Sequence, residues 1–190
     1  RTSAYAEALN SNNEFLKDKI VLDVGCGTGI LSLLAARAGA KKVIGVDMSS
    51  IITRSRRVVE KNGYSNIITL IRGKIEEVVL PLEEGEEVDV IVSEWMGYGL
   101  YFENMLPAVL YARDRYLRKD ATFCNIMPSH ASLFIEAISI KPQQLSEDRV
   151  VWWNNVYGFD MSDMTDLFLH EAQVDIIPPN IITSNRELFH

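Results

Sequence analysis

Three glycines within five positions follow an aspartate near the amino terminus, in the segment Asp23-Val-Gly25-Cys-Gly27-Thr-Gly29. Glycine adopts backbone conformations that other residues avoid and lets the chain approach a ligand closely. A dinucleotide-binding loop needs its third glycine where Ile30 stands, and no Gly-Lys-Ser/Thr follows for a phosphate-binding loop. The pattern therefore favours a ligand group without phosphates. The alternative is a plain turn whose aspartate caps the next helix.

A second carboxylate, Asp47, ends the next apolar run, Val43-Ile-Gly-Val. A carboxylate about 20 residues past a glycine loop is placed to accept both ribose hydroxyls as a pair. The alternative for Asp47 is a cap for a helix that begins near Ser50. Together with Asp23, it indicates an adenosine-containing cofactor without phosphates, and S-adenosylmethionine fits that description.

Two further carboxylates, Glu94 and Glu103, stand nine positions apart in the segment Ser93-Glu-Trp-Met-Gly-Tyr-Gly-Leu-Tyr-Phe-Glu103. The glycines allow this chain to fold back, so the two glutamates can face each other. Close carboxylates repel unless a proton or a cation lies between them. A guanidinium meets that demand, because it is planar, always charged and has paired N–H donors. The alternative is two surface glutamates at the ends of a loop.

Apolar runs of strand length alternate with longer segments that favour helix. The predicted strands are 20–24, 42–47, 67–71, 88–93 and 121–127, and the predicted helices are 28–38, 50–62 and 104–117. This alternation is typical of an α/β fold with a parallel sheet, right-handed crossovers and helices on both faces. Such sheets bind ligands at the carboxyl edge of their strands. The acidic residues above are all expected at that edge.

The pattern changes after Pro128, where we place a domain boundary. Residues 131–140 predict a strand with no helix soon after it, and residues 145–170 place Trp152 and Trp153 among other aromatic residues in a helical context. We predict that the 145–170 segment docks against a second subunit, with the Trp pair as anchors. The alternative is a hydrophobic hairpin that covers the sheet.

The composition is that of one globular domain and part of another. Of 190 residues, 47% are hydrophobic and 24% are charged, both ordinary fractions. Two cysteines exclude a disulfide scaffold, and with three scattered histidines they give no metal-ligand spacing, so we expect no metal. No apolar run reaches the ~18 residues that a membrane span needs. Because the chain opens at Arg1 without an initiator Met, we expect a fragment.

The acidic charge is uneven along the chain. The net charge is −7, and residues 141–190 carry three Lys or Arg against eight Asp or Glu, which gives −5 there and −2 before it. An acidic chain argues against direct nucleic-acid binding. An acidic face would attract a cationic partner. On charge alone, however, we prefer the alternative of a merely solvated surface.

The chain resembles the protein arginine N-methyltransferases of the type that forms asymmetric dimethylarginine. The matching stretches are 21–30, 43–47, 73–77, 93–106, 110–114 and 152–161. The glycine loop is shared with methyltransferases in general, whereas the double-glutamate segment is far more specific. The resemblance implies a Rossmann-like S-adenosylmethionine-dependent methyltransferase domain over residues 1–128. It also implies the start of a β-barrel domain over residues 129–190, with a helical dimerisation arm at about 145–170.

The resemblance also implies a role for each candidate site residue. Glu94 and Glu103 would be the catalytic clamp on the substrate arginine. The cofactor would be S-adenosylmethionine, which becomes S-adenosylhomocysteine after methyl transfer. The residues that would bind it are Arg1, Asp23, Gly25, Gly27, Asp47 and Glu76. Among these, Arg1 would pair with the cofactor carboxylate, Asp47 would hold the ribose where the family usually has Glu, and Glu76 would accept from the adenine amino group.

The implied activity is methyl transfer to a guanidino nitrogen of arginine residues in proteins, with histones or Gly/Arg-rich RNA-binding proteins as expected substrates. The expected assembly is a homodimer, and the expected location is the nucleus and cytoplasm. We expect little activity from these 190 residues alone. Two other classes stay open. A non-catalytic scaffold that dimerises with an active methyltransferase would bind no cofactor, and a small-molecule methyltransferase would turn over a free metabolite.

Overall fold

The computed structural model describes residues 1–122, 125–139, 150–166, 174 and 176–188. The chain divides into two compact units, Arg1–Ala131 and Ser132–His190. Within the described ranges, no helix combines the length and the apolar character that crossing a bilayer requires.

The first unit contains a parallel sheet of five strands among its described residues. The strands are β1 (Ile20–Val24), β2 (Lys42–Asp47), β3 (Ile68–Arg72), β4 (Val90–Val92) and β5 (Ile126–Met127). Their order is β3-β2-β1-β4-β5, with β1 in the centre. The chain winds outward from β1 to β3 and then returns to the other side of β1 as β4. The direction of winding therefore reverses between β1 and β4, and open α/β sheets bind ligands at such a point.

Helices cover both faces of this sheet. They are α1 (Thr2–Ser11), α2 (Asn13–Leu16), α3 (Ile30–Arg37), α4 (Ile52–Lys61) and α5 (Leu106–Tyr116). Every residue of β1 is buried, as expected of a central parallel strand. Successive side chains of β1 alternate between faces: Val21 packs with α1 to α4, whereas Leu22 and Val24 pack with α5.

The observed elements agree with the sequence in the centre of the sheet and differ at its ends. Strands β1 and β2 have the predicted bounds. The predicted strand over 121–127 is reduced to β5, because Thr122 donates its N–H to the side chain of Asn125 (2.8 Å) and the chain turns there; residues 123 and 124 lie outside the described residues. Helices α1 and α2 were not predicted. In α1, Tyr5 and Leu9 are buried, and their spacing of four positions is the helical signal that could have been used.

The described part of the second unit has little regular structure. Strand β6 (Phe134–Ile135) pairs antiparallel with β7 (Glu187–Leu188), so the predicted strand over 131–140 is shorter than expected. Three short 3-10 turns occupy Val151–Asn154, Ser162–Met164 and Pro179–Ile181.

The predicted helical arm at 145–170 falls only partly within the described residues. Within the described part, Val151–Asn154 and Ser162–Met164 form two 3-10 turns, and residues 165 and 166 are helical, so residues 150–164 contain no regular helix. The reason is a tight reversal between the two turns, where Val156 and Phe159 exchange backbone hydrogen bonds and Gly158 adopts a φ of +92°. The rings of Trp152 and Trp153 meet edge to face, with centroids 4.8 Å apart. Residues 145–149 and 167–170 lie outside the described residues.

Candidate functional site

The glycine loop leaves β1 and is tied to the end of β2. The N–H of Gly25 donates to Val46 O (2.8 Å), and the N–H of Gly27 donates to Asp47 Oδ2 (2.8 Å). Both glycines have positive φ, +75° and +49°, which only glycine adopts readily. A Cβ on Gly25 would collide with Met105 Cε, whereas one on Gly27 would meet no atom within 4 Å. Open space for a ligand therefore lies beside Gly27, and Met105 covers Gly25.

Asp47 fixes this loop and is itself held by Ser49. Its Oδ2 accepts from Gly27, while Oδ1 accepts from both the N–H (2.8 Å) and the hydroxyl (2.6 Å) of Ser49. Partial burial acts to raise the pKa of Asp47, but these hydrogen bonds outweigh it, and the pKa lies below its ordinary value. Asp47 is therefore an ionised acceptor at the carboxyl edge of the sheet.

Asp23 lies beneath the loop instead of on its surface. Its side chain is fully buried, and Oδ2 accepts from the Ser32 hydroxyl (2.6 Å). The other oxygen, Oδ1, is buried and has no hydrogen-bond partner among the described residues. Burial raises the pKa of Asp23 to about 7, against hydrogen bonds from Ser32 that lower it, and the nearby Asp47 raises it further. Asp23 is therefore poised between its neutral and ionised forms near neutral pH.

The double-glutamate loop folds back on itself after β4. The N–H of Gly97 donates to Leu100 O (3.0 Å). A Cβ on Gly97 would stand 3.0 Å from both the backbone nitrogen and Cγ of Glu103. Glu103 is thus packed against a residue three positions after Glu94, which agrees with the predicted fold-back. Trp95 is buried in the core beside Glu94, so the loop has an apolar base.

Arg1 reaches the first glutamate of this loop. Its Nη1 donates to Glu94 Oε1 (2.8 Å) and to Met96 O (2.6 Å). The pairing of Arg1 with the cofactor carboxylate, which the resemblance implies, stays a prediction. In this structure the Arg1 guanidinium lies on Glu94, because α1 starts beside the end of β4. No side chain in the described ranges donates a hydrogen bond to Glu103.

Glu76 follows β3 on the same edge of the sheet. The N–H of Gly73 donates to Asp47 O (3.0 Å), which ties the start of this segment to β2. Ile75 is buried, whereas the next residue, Glu76, is exposed. The hydroxyl of Tyr111 on α5 lies 3.5 Å from Glu76 O. Asp23, Asp47 and Glu94 therefore lie at the carboxyl edge of the parallel sheet, as predicted from the alternating pattern, and Glu76, which only the resemblance singled out, follows β3 at that edge.

Three residues that the sequence did not single out for a role hold this edge together. Tyr5 donates its hydroxyl to Ser93 O (2.8 Å), and Ser93 donates its own to Val24 O (2.7 Å). Ser32 holds Asp23 as described above. Burial raises the pKa of Tyr5 to about 12, with Glu94 adding to the effect, so Tyr5 stays a neutral donor. A signal for Ser93 existed, because this polar residue directly follows the apolar run Val90–Val92.

An apolar cavity adjoins the clamp. It has a volume of about 700 Å³ and lies between α1 and the end of β5, with Tyr5, Phe15 and Met127 among its walls. Arg1 and Met96 also line it, and they connect it to the Glu94 carboxylate. In the part of the chain that the structure describes, no group of three or more His, Cys, Asp or Glu residues is arranged to hold a metal ion.

Comparison with known families places the two parts of the chain separately. A family model described as ribosomal protein L11 methyltransferase (PrmA) matches residues 2–99. A second model, described as the arginine methyltransferase oligomerization subdomain, matches residues 129–190. The Rossmann-like α/β fold of a methyltransferase, predicted from the sequence, is confirmed.

Known proteins match nearly the whole chain. It is 49% identical to protein arginine N-methyltransferase 1 of Dictyostelium discoideum, over 97% of this chain and 52% of the relative. It is 48% identical to the Saccharomyces cerevisiae protein of that name, over 98% of this chain and 51% of the relative. The chain thus spans about half the length of the curated relatives it matches.

Solved structures lead to the same family. The PRMT1 enzyme-prozyme heterotetrameric complex of Trypanosoma brucei with AdoHcy superposes with a TM-score of 0.85 at 43% identity, over 99% of this chain and 56% of that one. Arabidopsis thaliana protein arginine methyltransferase 10 gives a TM-score of 0.80 at 32% identity, over 99% and 57%. The match over residues 2–99 shows that the chain belongs to the methyltransferases, and over nearly its whole length the chain is similar to protein arginine N-methyltransferases.

Proposed function

We propose that this chain carries the cofactor and arginine sites of an enzyme that transfers a methyl group from S-adenosylmethionine to a guanidino nitrogen of arginine residues in proteins. The observation that carries the proposal is the folded-back double-glutamate loop, which follows β4 at the point where the sheet reverses its winding. One of its glutamates, Glu94, already accepts from a guanidinium, that of Arg1. The similarity to protein arginine N-methyltransferases supports the same conclusion.

The residues at the sheet edge fit the proposed cofactor. Asp23 Oδ1 is a buried acceptor without a partner among the described residues, which suits a ligand ammonium. Ionised Asp47 suits ribose hydroxyls, and the open space beside Gly27 admits the ligand. When bound, S-adenosylmethionine supplies a methyl group made electrophilic by its sulfonium.

The two glutamates would bind and orient the arginine. A guanidinium is a poor nucleophile because its lone pairs are delocalised. Carboxylates on one side, Glu94 and Glu103, would concentrate its positive charge on the nitrogens they hold and leave the far nitrogen free. The buried Trp95, next to Glu94 in the chain, would lower the dielectric on one side of the site and so strengthen this grip. Alignment and fixed charge are the two contributions that the chain itself makes to the rate.

The clamp is tested by removing one charge at a time in the full-length protein. We expect Glu94→Gln and Glu103→Gln each to lower methylation of an arginine peptide by about a hundredfold or more, as for the loss of a fixed charge at a reacting centre. Glu84→Gln, on the exposed acidic turn, is the matched control and should not change the rate. A methylation rate near that of the wild type in either Glu94→Gln or Glu103→Gln would contradict the proposal.

A non-catalytic scaffold is the second candidate, and one observation favours it. Asp47 and Glu94 both already have protein donors, from Ser49 and Arg1 among others, so part of the site is satisfied without ligands. Calorimetry with S-adenosylhomocysteine separates the candidates. Binding at micromolar concentration supports the enzyme, and no binding by the full-length protein supports the scaffold.

We also propose that the protein is a homodimer that uses the arm at about 145–170. Trp152, Tyr157 and Phe159 are 54%, 96% and 72% exposed in the described part of the arm, and large exposed aromatic residues are typical anchors of an interface. Sedimentation of the full-length protein at micromolar concentration tests this. Trp152→Ala should yield monomer, whereas Val79→Ala, an exposed apolar residue of the first unit, should not.

Substrates, location and the activity of the fragment are further proposals. The net −5 after residue 140 would attract basic segments, which supports histones or Gly/Arg-rich RNA-binding proteins as substrates and the nucleus and cytoplasm as location. Methylation of such peptides at low and high salt, and imaging of the tagged protein, test these two points. We propose little activity for the 190 residues alone, and robust methylation by them would overturn that.

A further inference from the structure

We infer that Ser93 is a positioning residue that sets the spacing between the arginine clamp and the cofactor loop. The inference rests on the proposed function, because it concerns how the two halves of that site are held together. Ser93 is the last residue of the predicted fourth strand and stands directly before Glu94, and its side chain is buried.

Each polar group of Ser93 is bonded to a different element. Its N–H donates to Met127 O (3.0 Å) on β5. Its hydroxyl donates to Val24 O (2.7 Å) on β1, and its carbonyl accepts from Tyr5 (2.8 Å) on α1. Both side-chain contacts are buried. The residue before Glu94 is therefore fixed from three directions.

The hydroxyl bond lies just where the two central strands part. The paired register of β1 and β4 ends at Asp23 and Val92. One residue further on, Ser93 and Val24 are joined by the Ser93 side chain alone, and beyond them the chain diverges into the glycine loop on one side and the clamp on the other. The width of the crevice at its base is thus set by this side-chain bond.

The bond therefore connects the two functional segments directly. Val24 stands before Gly25, and Ser93 stands before Glu94, so a shift at Ser93 moves the clamp relative to the cofactor loop. Misplacement of a reacting group by about 1 Å can cost about a hundredfold in rate. Loss of the hydroxyl also leaves the buried Val24 carbonyl without this donor, which favours such a shift.

The test compares variants in the full-length protein with an arginine peptide and S-adenosylmethionine. We expect Ser93→Ala to lower kcat about tenfold or more, with the KM for peptide and the Kd for S-adenosylhomocysteine within about threefold of wild type. Ser93→Cys replaces the hydroxyl by a somewhat larger thiol that is a weak donor, and it should recover part of kcat. Thermal unfolding identifies any variant that fails to fold.

Asn125→Ala is the matched control at the opposite end of β4. Its side chain donates to Asp89 O (2.8 Å), just before that strand, so its loss should lower stability without lowering kcat. If Ser93→Ala does not fold, Tyr5→Phe decides, because it removes the bond to the Ser93 carbonyl and should lower kcat about fivefold by the same loss of alignment.

Two results would overturn the inference: a folded Ser93 or Tyr5 variant with kcat within about twofold of wild type, or an equal loss of kcat in Asn125→Ala. A wild-type protein that binds no S-adenosylhomocysteine would instead overturn the proposed function, so the two failures are distinguishable.

Discussion

We expect the affinity for the cofactor to fall about tenfold when the pH is lowered from about 8 to about 6, because the Asp23 carboxyl becomes protonated. Burial raises the pKa of Asp23 to about 7, because its effect is larger than the opposing effect of the hydrogen bonds from Ser32. At about pH 8 the group is mostly ionised, and at about pH 6 roughly one molecule in ten remains so. If only the ionised form accepts the cofactor ammonium, the apparent Kd rises as the competent fraction falls.

The same raised pKa affects the cofactor-free fold in the opposite direction. The folded pKa of Asp23 lies above the ordinary value of 3.8, so the folded state holds a proton that the unfolded state has lost. The contribution of Asp23 to stability is therefore present at low pH and lost as the pH rises from about 4 to 7. Cofactor binding and stability should respond to pH with opposite signs through this one group.

Neighbouring groups do not share this titration window. The pKa of Asp47 is lowered, since its hydrogen bonds from Ser49 outweigh the effect of burial. Burial raises the pKa of the Cys26 thiol and raises that of Tyr5 to about 12. Across this pH range Asp47 thus stays ionised, while Cys26 and Tyr5 stay neutral.

The assay is calorimetry with S-adenosylhomocysteine in buffers of different ionisation enthalpy. At about pH 7 binding should release about half a proton, since half of Asp23 is protonated beforehand. Asp23→Asn is the control, because titration of the ligand itself is common to both proteins and cancels in the comparison. A Kd that does not change with pH, or an equal slope in Asp23→Asn, would refute the reasoning.

Three further predictions concern the framework of the site. In Gly25→Ala the new Cβ would stand at positive φ and collide with Met105, so the free energy of unfolding should fall by about 1–3 kcal/mol. In Gly27→Ala the new Cβ meets open space, so the loss should be smaller. Urea unfolding of both variants measures the difference. Asp47→Ala frees the Gly27 N–H and should raise the Kd for cofactor at least about tenfold by calorimetry. The hydrogen bond from Lys42 holds the pKa of Glu86 at about 2. The stability that this pair contributes is therefore lost as the pH falls from about 4.5 towards 2. Lys42→Ala should make Tm depend less on pH over that range.

The parts of the fold that local patterns determine were predictable from sequence. β1 and β2 are short and mostly apolar runs, the first followed by glycine and the second ended by Asp47, and both have the predicted bounds. The contacts of Tyr5 and Ser93 were not predictable, because their partners lie 88 and 69 positions away in the chain. Arg1 shows the same limit. The resemblance predicts that Arg1 binds the cofactor carboxylate, but its contact with Glu94 depends on how α1 packs.

The charges of the double-glutamate loop bear on how many arginine side chains the proposed site would hold. Glu94 and Glu103 together carry two negative charges, and Arg1 neutralises one of them through Glu94. The pair therefore has room for one more positive charge, which a single substrate guanidinium supplies. A second cation would find no uncompensated carboxylate of the pair to neutralise it. Under the proposed function, we therefore expect the two glutamates to bind one arginine side chain at a time, with a selectivity for cations that follows from the charge that Arg1 leaves uncompensated.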